Sequence, residues 1–111
     1  MAITKLIKGG YEKMRYFIVE GTIINADLMN DNIMKNHIEY SQKAMNEGLI
    51  LMSGLKEDMS GGLFIMKSES IEKVDNYLCN EPLKVNGIQV YKIVEFSPHY
   101  FNQYPNDWFN K

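Results

Sequence analysis

The chain has 111 residues and a formal net charge of −2, from 12 Lys and Arg against 14 Asp and Glu. A chain of this size buries roughly two-thirds of its unfolded surface in one core, which excludes two full domains. With 45% apolar and 23% charged residues it is not an intrinsically disordered chain, and no single-sign block supplies the footprint of a nucleic-acid binder. Cys79 is the sole cysteine, so an intrachain disulfide, a zinc finger and a CxxC redox pair are all excluded. No apolar run approaches the ~20 residues of a membrane span. The apolar stretch within residues 1–13 is too short for a secretory signal and is broken by Gly9-Gly10. A cytoplasmic protein is expected, with neither membrane nor nucleic acid among its partners.

The aromatic and β-branched segment 15–24, RYFIVEGTII, reads as a strand that ends at Asn25-Ala26-Asp27. Asp27, Asn30 or Asp31 can cap a helix running to about Glu47, with Gly48 at the position favoured after a helix end. Wound at about 100° per residue, this segment gathers Met29, Ile33, Met34, Ile38, Tyr40, Ala44 and Met45 on one broad arc. Residues 49–55 and 62–67 read as two strands of a hairpin around a polar, Gly-containing loop. Ser70 caps a second helix that ends before Pro82, and a loop through Asn86-Gly87 leads to a fourth strand at 88–96. One domain over 1–111 is expected: an N-terminal extension at 1–14, a core at 15–97 and a tail at 98–111. Met14-Arg15-Tyr16-Phe17 looks like a native start. Lys8-Gly9-Gly10 can be encoded by a purine-rich ribosome-binding sequence, so translation is expected to begin at Met14.

The order β-α-β-β-α-β is that of an α+β, ferredoxin-like fold, two helices covering one face of a four-stranded antiparallel sheet. Yet the strands are apolar on both parities: Phe17 and Val19 alternate with Tyr16 and Ile18, and Val90 and Val94 with Tyr91 and Ile93. A half-solvated sheet should alternate apolar with polar residues. The second face is therefore expected to meet an identical sheet in a homodimer. The competing arrangement covers it with the N-terminal segment and the tail. That tail has five aromatics in its 14 residues, enough to pack on a partner subunit, over a pocket mouth or on its own sheet edge.

His37 lies near the middle of the apolar arc of the first helix, and Ser41 follows one turn later. A buried imidazole needs a hydrogen-bond partner, since leaving it unpaired costs ~1 to 3 kcal/mol, and its chemistry suits proton transfer near neutrality. On position alone it equally fits a satisfied core histidine. Ser41 is a candidate substrate contact, with back-bonding to a carbonyl of the preceding turn as the simpler role. Glu81 precedes Pro82, which holds it in extended geometry outside the second helix. The end of that helix can lie near the first, so a contact with His37 is available; on spacing alone Glu81 reads as a solvated loop acid. With one Cys and two His there is no metal set without carboxylates, and Ser60-Gly61-Gly62, between two strands, is turn chemistry and not a phosphate loop.

His37 on the first helix, Gly48, Met52-Ser53-Gly54, Gly61-Gly62, Glu81-Pro82, Gly87 and the closing Val94-Glu95-Phe96 together resemble the YciI-like (YCII-related) proteins over about residues 15–96. The resemblance implies a small dimeric α+β barrel, related in fold to muconolactone isomerase and cofactor-free monooxygenases, with one branch acting as a chloromuconolactone dehalogenase. It implies a His–acid pair in a pocket. The His falls on His37 and the acid on Glu81, where the family usually carries Asp-Pro, so this chain adds one methylene to the acid. The functional expectation is an isomerase- or lyase-type enzyme for a small organic acid or lactone, without metal or other cofactor. In it Glu81 orients the imidazole, favouring its protonated form, and His37 transfers the proton. The alternatives are a non-catalytic ligand-binding or accessory homodimer and, by fold analogy alone, a cofactor-free monooxygenase. The enzyme reading expects His37 and Glu81 to line a cavity of a few hundred Å³.

Overall fold

A computed structural model describes residues 13–110. Residues 1–12 of the N-terminal extension lie outside the described residues. The elements are β1 (Arg15–Ile23), a 3-10 turn (Ala26–Leu28), α1 (Asp31–Asn46), β2 (Ile50–Leu55), β3 (Gly62–Ser68), α2 (Ile71–Cys79), α3 (Pro82–Val85), β4 (Gln89–Phe96) and α4 (Pro105–Asn110). All strand pairs are antiparallel, in the order β2-β3-β1-β4. This is the ferredoxin-like α+β arrangement. No described helix is long and apolar enough to cross a membrane.

Local chemistry sets the helix ends. Asn30 Oδ1 accepts from the Ile33 amide at 2.8 Å, and Ser70 Oγ from the Lys73 amide at 3.2 Å, each satisfying a donor that the first helical turn leaves unpaired. After α1, Gly48 takes φ +80°, which lets the Leu49 amide reach Ala44 O at 2.9 Å and turns the chain directly into β2.

The inward face of the sheet carries Phe17, Val19, Ile50 and Met66, which pack with Ala44 of α1 and with Val74 and Leu78 of α2. Phe17, Val19 and Val74 are completely buried, each contributing on the order of 1.5 to 3 kcal/mol. The arc expected for α1 is narrower in the structure. Ala44 is its one fully buried residue, while Met34 and Ile38 are exposed, because α1 presses on the sheet along the row that contains His37, Tyr40, Ser41 and Ala44.

The opposite sheet face is apolar, and no described element covers it. Ile18 pairs with Ile65 and Val94, and Thr22 with Val90. A register shift between Ile50 and Met52 turns Met52 onto this face opposite Ile65. Val90 and Val94 are each 45% exposed. The tail does not cover them: Tyr100, Tyr104 and Trp108 are themselves exposed, so packing of the tail on its own sheet edge is not what the structure adopts.

The β2–β3 loop is tied to β1 by the Ile23 amide, which donates to Ser60 O at 2.8 Å. Beside that bond a Cβ on Gly61 would sit 1.9 Å from Gly21 O. Gly61→Ala is expected to destabilise the fold by roughly 3 kcal/mol or more, because a backbone atom stands in the way and one strand end has to move. Urea unfolding of the variant beside wild type measures it.

Candidate functional site

Residues 80–87 build the acid's position. Glu81 takes the N-cap of α3, where its Oε1 accepts from the Leu83 amide at 3.1 Å. Pro82 follows at the first helical position, where its missing amide costs nothing. At the other end Gly87, with φ +72°, lets the Ile88 amide bond to Leu83 O at 2.9 Å. This four-residue helix packs against α1. A loop was expected here. The signal was available as Pro just inside a helix start and Gly just past its end, but four residues carry no periodicity and Glu is an unusual cap.

Packing α3 on α1 brings Glu81 Oε2 into hydrogen-bond contact with His37 Nδ1. The carboxylate is 2% exposed and the imidazole side chain 28%, so the acid faces inward while the ring keeps an edge to solvent. Glu81 is thus not a solvated loop acid. Its second oxygen also accepts from the Tyr91 hydroxyl of β4, whose oxygen in turn accepts from Gln89 Nε2 at 2.8 Å. Among the described residues His37 Nε2 has no hydrogen-bond partner, which leaves that nitrogen for a guest or for water.

Aromatic rings close over the pair. Tyr40 of α1 stacks on Tyr77 of α2 with centroids 4.7 Å apart and donates its hydroxyl to Tyr77 O at 2.7 Å. Phe64 meets Tyr77 and Tyr91 edge-on at 6.3 and 6.4 Å. Burial pushes the Tyr91 phenol far above its ordinary value, and its hydrogen bond to the Glu81 carboxylate adds to the rise. Burial likewise raises Tyr77, helped by Tyr40 and by the charge of Glu81 and opposed by a side-chain hydrogen bond from Ser41. Tyr40 is raised by burial and then by Glu81.

The site therefore joins His37 and Glu81 directly and sets Ser41 beside the Tyr77 phenol. The sequence reading missed Tyr91, Tyr77 and Gln89 as members. Tyr91 shares strand parity with Ile93 on the helix-covered face, which is the one sequence signal that pointed inward. Two hollows of the expected size lie elsewhere on the surface. One hollow of about 380 Å³ lies on the outer side of α1 between Asp31, Met34, Lys35, Ile38 and Glu39. Another of about 330 Å³ lies where Tyr16, Leu51 and Ile65 meet. Neither is lined by His37 or Glu81. Among the described residues no three His, Cys, Asp or Glu side chains converge as metal ligands would.

The buried phenols carry a pH dependence of definite sign. Above pH 10, the ordinary tyrosine value, the unfolded chain sheds these protons while the folded one keeps them. Their contribution to stability is therefore complete below pH 10 and declines as pH rises beyond it. Tyr91→Phe should flatten that alkaline decline. At pH 7 it should cost about 1.5 to 3 kcal/mol, the range for a hydrogen bond to a charged group. Denaturation midpoints from pH 7 to 11 measure both.

Residues 14–97 match the YCII-related domain. Among solved structures the chain is similar to 5-chloro-2-hydroxyhydroquinone dehydrochlorinase (TftG) from Burkholderia phenoliruptrix AC1100, determined in complex with 2,5-dihydroxybenzoquinone. The TM-score is 0.59, with 17% identity over 76% of this chain and 95% of that one. It is also similar to an antibiotic biosynthesis monooxygenase, with a TM-score of 0.51 and 16% identity over 78% of this chain and 99% of that one. At such identities the likeness is one of fold, that of the dimeric α+β barrel proteins. A comparison with curated protein sequences finds no match. The domain match spans most of the chain, and the chain belongs to the YCII-related family.

Proposed function

We propose that this protein is a small-molecule enzyme of isomerase or lyase type in which His37 transfers a proton and Glu81 holds the imidazole in place. The observation that carries the reading is a carboxylate 2% exposed whose charge answers an imidazole that still reaches solvent. Burying an acid is costly unless its oxygens are bonded, and here the bonds aim one ring edge outward. With Nδ1 donating to Glu81, Nε2 takes a proton from an acidic C–H or O–H of a small oxygenated substrate. The resulting imidazolium, stabilised by Glu81, returns that proton at another carbon in an isomerisation or to a leaving group in an elimination. TftG, a dehydrochlorinase bound to a dihydroxybenzoquinone, supports small oxygenated rings as a substrate class besides organic acids and lactones.

A second reading, a non-catalytic ligand-binding or accessory dimer, is favoured by one observation: both hollows lie away from the pair. Proton exchange separates the two. In D2O the protein should catalyse deuterium uptake into muconolactone or 5-chloro-2-hydroxyhydroquinone, or convert them. His37→Gln should lower that rate by roughly 10² to 10⁴, the usual contribution of a general acid or base. Equal rates for wild type and His37→Gln would remove the enzymatic reading. In both readings the open apolar sheet face, with Ile18, Met52, Ile65, Val90, Val94 and Phe96, pairs two chains. Sedimentation is expected at twice the 12.9 kDa of one chain, and Val94→Lys should shift it to one.

A further inference from the structure

Gln89 opens β4 as a buried polar side chain, 5% exposed, and the proton-transfer role given to His37 and Glu81 makes no use of it. Room for it is made on purpose by the neighbouring strand. A Cβ at Gly21 would lie 2.7 Å from Gln89 Cδ and 2.8 Å from its Nε2, so the amide rests directly against the Gly21 backbone. A buried amide needs partners, and Gln89 Nε2 has one in the Tyr91 oxygen at 2.8 Å.

The directions of these bonds follow from which groups can donate. A carboxylate only accepts, so between Tyr91 and Glu81 the proton belongs to the phenol. The Tyr91 oxygen, having committed its single proton, can only accept from Gln89, which requires the amide nitrogen there. Glu81 then holds three donors: the Tyr91 hydroxyl and the Leu83 amide on Oε1, and His37 Nδ1 on Oε2. Each donor to a carboxylate favours its charged form over its protonated one.

We propose that Gln89 is a positioning residue: it commits the Tyr91 proton to Glu81, and so keeps the proton between Glu81 and His37 on the imidazole rather than on the acid. The inference rests on the proposed role of His37 for its catalytic meaning. Its chemistry, however, exists in the resting protein. An amide replaced by an acceptor draws the Tyr91 proton away; Glu81, short of one donor, then competes for the proton of His37.

The test reads the imidazole nitrogens of His37 by ¹⁵N NMR in the full chain under conditions where the ring is protonated, with His99 as an internal reference. Wild type should show both His37 nitrogens protonated. In Gln89→Glu and in Tyr91→Phe, Nδ1 should shift toward the position of an unprotonated nitrogen while Nε2 stays protonated and His99 does not move. Circular dichroism establishes that each variant is folded, and Gly21→Ala, which displaces the amide sterically, should reproduce the shift. Unchanged His37 nitrogens in folded Gln89→Glu and Tyr91→Phe would overturn the proposal. Deuterium uptake that survives His37→Gln would instead remove the enzymatic reading and leave the nitrogen shifts as they are, so the two failures are distinguishable.

Discussion

A carboxylate held out of water organises one side of this molecule. Glu81 is almost fully buried, and a charge in that position is tolerable only if each oxygen finds donors. Three elements supply them: α1 through His37, α3 through its own first turn, and β4 through Tyr91. Removing His37 leaves Oε2 without its donor in a low-dielectric interior, so the pair is a structural clasp between α1 and the 80–87 segment before it is anything else. The same bonds that make burial bearable fix the imidazole's orientation. Stability and any proton chemistry therefore share one set of contacts.

The other face of the sheet poses the opposite problem. Apolar side chains occupy both parities of the strands, and the helices can cover only one. The described tail leaves the second face open and keeps its own aromatics in solvent. Two kinds of exposed apolar surface thus adjoin each other along β4 and its continuation. Hydrophobic burial at about 25 cal/mol per Å² makes such a surface a strong driver of association.

One carboxylate serves two elements in this chain: Glu81 caps α3 and also reaches His37 across to α1. Tyr91 and Gln89 lock that side chain from the strand side. The rings of Tyr40, Tyr77 and Phe64 pack against one another beside that acid, and two hollows of a few hundred Å³ lie elsewhere on the surface.

Periodicity, caps and turn residues were enough to read the order of the main elements, because strand alternation, the caps at Asn30 and Ser70 and the glycine after α1 are local signals. The doubled apolar parity announced an uncovered sheet face for the same reason, since each strand carries its own pattern. The four-residue α3, too short to show a period, was not legible, nor was the burial of Glu81, an acid between two helix ends. Which nitrogen of His37 meets which oxygen is decided between residues 44 positions apart, and the line from Gln89 through Tyr91 to that acid joins the strand β4 to the cap of α3. Such contacts depend on how α1, α3 and β4 pack, and side-chain packing across elements leaves no mark in any one stretch of sequence.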